Sequence, residues 1–300
     1  MILTHTARRD GKLVSFLRGE LGLSSTLTTR LKYRDAYRVN GQTVHIHYRV
    51  HPGDVITVDL QEPPPDYPAE EGPLDILYED DALIVLDKPA GILMHPTFNR
   101  LEGTLSNRLL DYYQKTGQKC AIHLVNRLDR DTFGVVLIAK NSHTHAILCQ
   151  QLSSGQIKKT YEAAVFGHPP EAKGVIDAPI DRLSPTSLLR CIREGGQPAR
   201  TEYEVLAQTE TCSLLRLHPI TGRTHQLRLH CAHMGFPILG DPQYGSEASQ
   251  TFSLARGYLY QQLCAVQLEF FQPISGEPLC IQSRQKIEFP TSGWAGSTTG

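Results

Sequence analysis

Strand-like runs outnumber helix-like runs in this chain of 300 residues, and the segments between them are too short for regular βαβ crossovers. Strands are read at 83–86, 135–139, 161–166, 188–192, 201–207, 213–218 and 265–270, with a last one near 279–281 after the Ser275-Gly276 turn. Between these strands, helices are read around Leu105, Leu109 and Tyr112 and over the stretch 142–152. The pattern predicts an α+β domain with a large mixed, mainly antiparallel sheet flanked by helices.

A smaller unit precedes it. Leu13, Phe16, Leu17 and Leu21 recur at helical spacing over residues 12–23, and Ser24 or Ser25 can cap a second helix carrying Leu27 and Leu31. The far face of that helix holds Arg30, Lys32 and Arg34. Asn40-Gly41 marks a tight turn, after which Val44, Ile46, Tyr48 and Val50 alternate as a strand. Pro52-Gly53-Asp54 then turns into a strand at 55–60. Residues 12–60 thus predict a compact helix–hairpin recognition module.

The net charge of −1 conceals a segregation. Residues 1–60 hold nine Lys/Arg against five Asp/Glu, whereas 61–81 hold eight acids and no base. A basic module ahead of an acidic tether points the module toward a polyanion. The segment 61–73, with five prolines and four acids, reads as a linker. A second domain is expected over 74–290 and a disordered tail over 291–300.

No apolar run approaches the ~20 residues that span a bilayer. The first residues, MILTHTARRDGK, lack the apolar core of a signal peptide. Seven scattered cysteines without a C-x-x-C pair fit reduced thiols. The expectation is a cytoplasmic protein with no membrane partner. No P-loop, dinucleotide fingerprint or nucleophile elbow is present, so no cofactor is expected.

Two clusters carry chemistry. Asn126-Arg127-Leu128-Asp129-Arg130-Asp131-Thr132-Phe133-Gly134 runs straight into the apolar strand at 135–139, which places carboxylates at the mouth of a sheet. On spacing alone an exposed, ion-paired turn gives the same string, and Asp131 could serve as well as Asp129. The second cluster, His218 to His230, follows a strand and is read as opening a helix at Thr224. On that helix His225, Arg228 and Ala232 would share one face, with Arg228 able to hold a carboxylate such as Asp129. His218, His225, His230 and His233 fall on different sides of the helix, so no metal site is assigned. His45, His47 and His51 are placed on one surface strand.

With both clusters in view the chain resembles the RluA-type family of RNA pseudouridine synthases over nearly its whole length. Asn126 to Gly134 is similar to the motif H-R-L-D-x-x-T-S-G. Lys159 to Gly167 is similar to K-x-Y-x-A-x-V-x-G, and Gly222 to His230 to G-R-T-H-Q-[IL]-R-x-H. Lys88-Pro89-Ala90-Gly91 with His95-Pro96 resembles the opening segment, and Pro237-Ile238-Leu239-Gly240-Asp241 to Tyr244-Gly245 the continuation. Residues 12–60 are similar to the RNA-binding module of small-subunit ribosomal protein number four.

The resemblance implies a cofactor-free isomerisation of uridine to pseudouridine in structured RNA. Ribosomal RNA of the large subunit is the first candidate and transfer RNA the second, with no obligatory protein partner. Asp129 would be the catalytic carboxylate, attacking the ribose anomeric carbon or assisting elimination to a glycal. Tyr161 would stack on the flipped base and Arg228 would pair with Asp129. Arg127, Arg223, His225 and Gln226 would meet the RNA, with Leu263 and Leu268 as an apolar wall. Arg30, Lys32 and Arg34 would bind RNA from the module.

Three positions depart from the family pattern: Asn126 for histidine, Phe133 for serine and Thr221 for lysine. They bear on substrate choice more than on activity. Two other readings compete. One is a non-catalytic RNA-binding assembly factor on the same fold, the other a metal-dependent nucleic-acid hydrolase using Asp129 and Asp131.

Overall fold

The computed structural model describes residues 1–98 and 100–290, so the expected tail at 291–300 lies outside the described residues. Its main element is a ten-stranded sheet. Along the main path the strands run Lys173–Asp177, Arg200–Gln208, Cys212–Pro219, Lys158–Phe166, Leu263–Phe271, Phe133–Ala139, Leu83–Lys88 and Ile76–Glu79. Each neighbouring pair is antiparallel except Phe133–Ala139 with Leu263–Phe271. The α+β architecture expected from the strand spacing is the one adopted.

That parallel contact spans only Phe133↔Cys264 and Gly134↔Ala265. Beyond it the two strands diverge and recruit other neighbours. His123–Leu124 pairs with the first and Pro278–Gln282 with the second. The sheet is therefore forked, and the charged turn 126–132 sits at the crotch. Gly134 is what permits the close approach. Its φ is +109°, and a β-carbon there would lie 2.3 Å from the Ala265 carbonyl oxygen.

Apolar side chains pack both faces of the sheet. One core gathers Ile84, Leu86, Val136, Ile138, Tyr161, Leu217 and Leu263, and the other Leu83, Val85, Leu137, Leu148, Leu268 and Phe270. Alternation along Leu83–Lys88 and Phe133–Ala139 produces this division, since each strand is buried on both sides. The helices start where the sequence supplies caps. Thr104 and Asn107 form a capping box for Leu105–Lys115, and Asn141 accepts from the Thr144 N–H ahead of Ser142–Ser153.

The amino-terminal unit contains the expected helices, Leu13–Gly19 and Ser25–Lys32, the latter capped by Ser24. Its sheet differs from the reading. Ile2–Thr6 pairs with Val55–Asp59, so the unit begins ahead of residue 12. The alternating stretch after Asn40-Gly41 is strand only at Gln42–Thr43 and Arg49–Val50, with a turn between them. Val44 and Ile46 still reach the core, Val44 at its edge. His45, His47 and His51 therefore do not share a strand.

The proline-rich segment 61–73 lies against the larger domain. Glu62 accepts the Ser142 N–H at 2.8 Å, faces His123 Nε2 at 3.2 Å and pairs with Arg30 at 3.0 Å. Burial alone would raise the Glu62 carboxyl, but the bonds from His123 and Ser142 outweigh it and bring it down to about 2. Further along, Asn107 Nδ2 donates to the Pro68 carbonyl at 2.7 Å and Gly103 N–H to Glu70 at 2.5 Å. No described helix is long and apolar enough to cross a membrane.

Candidate active site

A cleft of about 800 Å³ opens at the fork, lined by residues 124–132, Lys159, Tyr161, residues 221–228, Gln243, Gln261 and Leu263. Both clusters singled out in the sequence face it. The turn that carries Asp129 closes through the Thr132 N–H to the Asp129 carbonyl at 3.2 Å. Two contacts brace it from the sheet. Gln261 Nε2 donates to Thr132 Oγ1 at 2.5 Å, and the fully buried Lys88 amine donates to the carbonyls of Arg130 and Pro89, each at 2.8 Å.

Arg228 is the electrostatic hub. Its Nε and Nη2 grip Asp241 at 2.7 and 2.8 Å, Nη2 also reaches Gln243 at 2.8 Å, and Nη1 donates to Asp129 Oδ2 at 3.0 Å. Burial opposes the cation, but Asp241 and then Asp129 more than compensate and raise it further. The Asp241 carboxylate is wholly enclosed, while Asp129 keeps 28% of its side chain exposed toward the cleft. A guanidinium fixed on one side by a bidentate pair thus presents an Nη1 N–H to the more exposed acid of the turn.

Asp131 has a different partner. Arg130 grips it bidentately at 2.8 Å through both Nε and Nη2. The two acids of the turn are therefore served by separate arginines, and only Asp129 meets Arg228. Tyr161 stands on Lys158–Phe166 where a bulge at Thr160 shifts the register against Leu263–Phe271. It is 8% exposed and lines the cleft, and burial, then the Asp129 charge, raises its hydroxyl. Leu263 lines the same wall. Leu268 does not: five residues further along the strand it falls on the opposite face and packs in the other core.

The helix of the second cluster begins at Gln226, not Thr224. His225 precedes it in a left-handed conformation and so is not on the Arg228 face; its Nε2 lies 4.0 Å from Asp129 Oδ2. Gln226 lines the cleft, but its amide is committed to the turn. Its Oε1 accepts from Thr221 and the Arg223 N–H, and its Nε2 donates to the Arg200 carbonyl and Thr201. Arg127 and Arg223 are exposed at the rim, Arg223 with its Nε on the Pro198 carbonyl. Arg30 and Arg34 lean toward the segment 61–73, on Glu62 and the Gln61 carbonyl, while the Lys32 amine lies over the exposed Tyr33 ring.

The three departures have structural roles. Asn126 donates to the Val135 carbonyl at 3.1 Å and accepts the Leu137 N–H at 2.7 Å, extending the ladder of the central strand with its side chain. Phe133 starts that strand and is buried. Thr221 accepts the Arg200 N–H at 2.9 Å and ties the loop to Gln226. Lys88, Asp241, Gln243 and Tyr244 had no assigned role in the sequence reading. Asp241 and Tyr244 stood within the quoted 237–245 block, whose fixed spacing after Arg228 was the available signal.

Comparison with known proteins shows the family. The RNA pseudouridylate synthase family profile matches residues 82–233. An uncharacterized RNA pseudouridine synthase, YjbO of Bacillus subtilis (strain 168), is 35% identical over 262 residues, covering 86% of this chain and 90% of the relative. Ribosomal large subunit pseudouridine synthase D of Xanthomonas campestris pv. campestris is 36% identical over 263 residues, covering 85% and 79%. Among solved structures, human RNA pseudouridylate synthase domain containing 1 aligns with a TM-score of 0.59 at 25% identity, over 73% of this chain and 86% of that one. The chain belongs to the RluA-type family of RNA pseudouridine synthases and is an isomerase acting on RNA.

Proposed function

We propose that the substrate is ribosomal RNA of the large subunit, in which a chosen uridine is flipped into the cleft and converted to pseudouridine by Asp129. The observation that carries this reading is the Arg228–Asp129 contact at 3.0 Å inside a cleft walled by Tyr161 and Leu263. In a duplex or tight loop the glycosidic carbon is out of reach, so the nucleotide must leave the stack. Tyr161 offers a face for the uracil ring and Leu263 an apolar back wall.

Chemistry then needs a carboxylate aimed at the sugar. Addition of Asp129 to the anomeric carbon, or its removal of the neighbouring ribose proton, releases uracil from its nitrogen. Rotation of the base within the cleft brings carbon 5 to the anomeric carbon. As carbon 5 bonds to the anomeric carbon, the Asp129 carboxylate leaves that carbon or, on the glycal route, returns the ribose proton; the proton on carbon 5 is then lost to water and the freed nitrogen takes one up. Arg127 and Arg223 at the rim suit phosphate contacts, and the basic face of the amino-terminal unit, Lys32 included, extends that track.

The relatives named for the large ribosomal subunit motivate the choice of RNA. Mapping pseudouridine across ribosomal and transfer RNA in cells with and without this protein tests it. Loss of one or more sites confined to large-subunit RNA is the expected result. Loss confined to transfer RNA would overturn the substrate while leaving the reaction intact.

A further inference from the structure

His225 occupies a backbone that side chains avoid. Its φ of 57° and ψ of 18° place it in the left-handed region, and it makes no capping bond to the helix it precedes. Such a residue stores on the order of 1 kcal/mol and persists where its surroundings fix it. The imidazole shows what that conformation serves. Its Nδ1 lies 2.8 Å from the Tyr244 hydroxyl, whose oxygen accepts the Arg190 N–H at 2.9 Å.

The Tyr244 hydroxyl hydrogen has no other acceptor among the described residues, so it goes to Nδ1, and in the neutral ring the proton sits on Nε2. That N–H faces Asp129 Oδ2 at 4.0 Å, the same oxygen that Arg228 holds at 3.0 Å. Among the described residues Oδ1 takes no hydrogen bond and is left to the cleft.

We propose that Tyr244 and His225 are a positioning pair for Asp129: among the described residues Arg228 alone bonds Oδ2, and the imidazole fixed by Tyr244 flanks that oxygen at 4.0 Å, limiting the carboxylate to the orientation in which Oδ1 is presented to the ribose. The proposal rests on the reading of Asp129 as the reacting carboxylate. The surroundings favour the neutral ring. Burial lowers the imidazole, Asp129 and Asp241 raise it, and Arg228 and Arg190 lower it again, with a net fall. A neutral ring flanks a carboxylate without cancelling its charge. An imidazolium would form an ion pair with it and compete with the substrate.

His225→Gly and Tyr244→Phe test the pair, assayed by tritium release from total RNA, labelled at uridine carbon 5 and taken from cells lacking this protein. Glycine is at ease at φ 57°, so His225→Gly keeps or raises the melting temperature. Its kcat falls roughly 10- to 100-fold with KM within about twofold, as expected when a reacting group is misaligned. Tyr244→Phe gives a smaller loss of kcat, and the acid limb of its kcat profile moves to higher pH because the ring protonates more readily.

Wild-type kcat in both variants overturns the proposal, as does a raised KM with unchanged kcat, which would make His225 an RNA contact. A wild-type protein that releases no tritium from this RNA overturns the functional reading itself, and the proposal with it.

Discussion

Asp241 and Arg228 form a bidentate pair at 2.7 and 2.8 Å with the carboxylate sealed from solvent, and the geometry of the cleft depends on it. Asp241 also accepts the N–H groups of Gln243 and Tyr244, at 2.9 and 3.2 Å. It therefore orders both the arginine and the loop that carries Tyr244. Replacing Asp241 with alanine removes the bidentate partner of a buried cation, which keeps only Asp129 and Gln243, and the acceptor of two N–H groups. The expected cost is about 3–5 kcal/mol in chemical denaturation, with activity lost more completely than stability.

Gly134→Ala strikes the crotch of the sheet. The added methyl would meet the Ala265 carbonyl at 2.3 Å in a conformation that alanine resists. Either the parallel pairing of Gly134 with Ala265 separates or the backbone shifts. Destabilisation of ~3 kcal/mol is expected, read as a melting temperature lower by roughly 6–12 °C.

Lys88 makes stability depend on pH. Burial brings its amine down to about 7, against the upward pull of Asp131 and Asp129. The unfolded chain keeps that proton up to 10.5, so above pH 7 the unfolded state binds more protons and stability rises with pH. The gain between pH 7 and 9 is about 2–3 kcal/mol. Above pH 9 it is opposed, because burial holds the Cys231 and Cys264 thiols up to about 12. Urea midpoints measured from pH 7 to 9 should climb for the wild type and run flatter for Lys88→Met.

Phe133→Ser restores the residue usual in the family, at the cost of a buried ring. Phe133 is 7% exposed where the central strand begins. Loss of ~3 kcal/mol is expected, since no neighbour replaces the volume. The KM for RNA should stay within about twofold, because the ring is directed into the protein. A large fall in KM without loss of stability would show instead that Phe133 narrows the RNA entrance.

Much of this arrangement was legible in the sequence, for reasons that can be located. The Ser24 cap announces a helix because its side chain acts on a nearby N–H group, a local matter, and the stretches at 105–112 and 142–152 were read from helical spacing. Asp129 and Arg228 were identified by motif register, and the structure brings them together across 99 positions. Local pattern failed where tertiary contacts decide. Val44, Ile46, Tyr48 and Val50 alternate, yet a turn interrupts them and the core accepts Val44 and Ile46 without a continuous ladder. The strained His225 is invisible to helical periodicity, which starts the helix at Thr224, two residues ahead of Gln226. The Lys88 tie to Arg130 joins positions 42 apart and leaves no trace in spacing. Leu268 is the exception: strand alternation already set it opposite Leu263.

The central claim is that Asp129, and not Asp131, performs the chemistry. Tritium release from RNA labelled at uridine carbon 5 measures it directly, with filter retention of the same RNA as the control. Asp129→Ala should release no tritium while binding RNA as the wild type does, and Asp131→Asn should remain active within about tenfold. Release by Asp129→Ala at the wild-type rate would contradict the account.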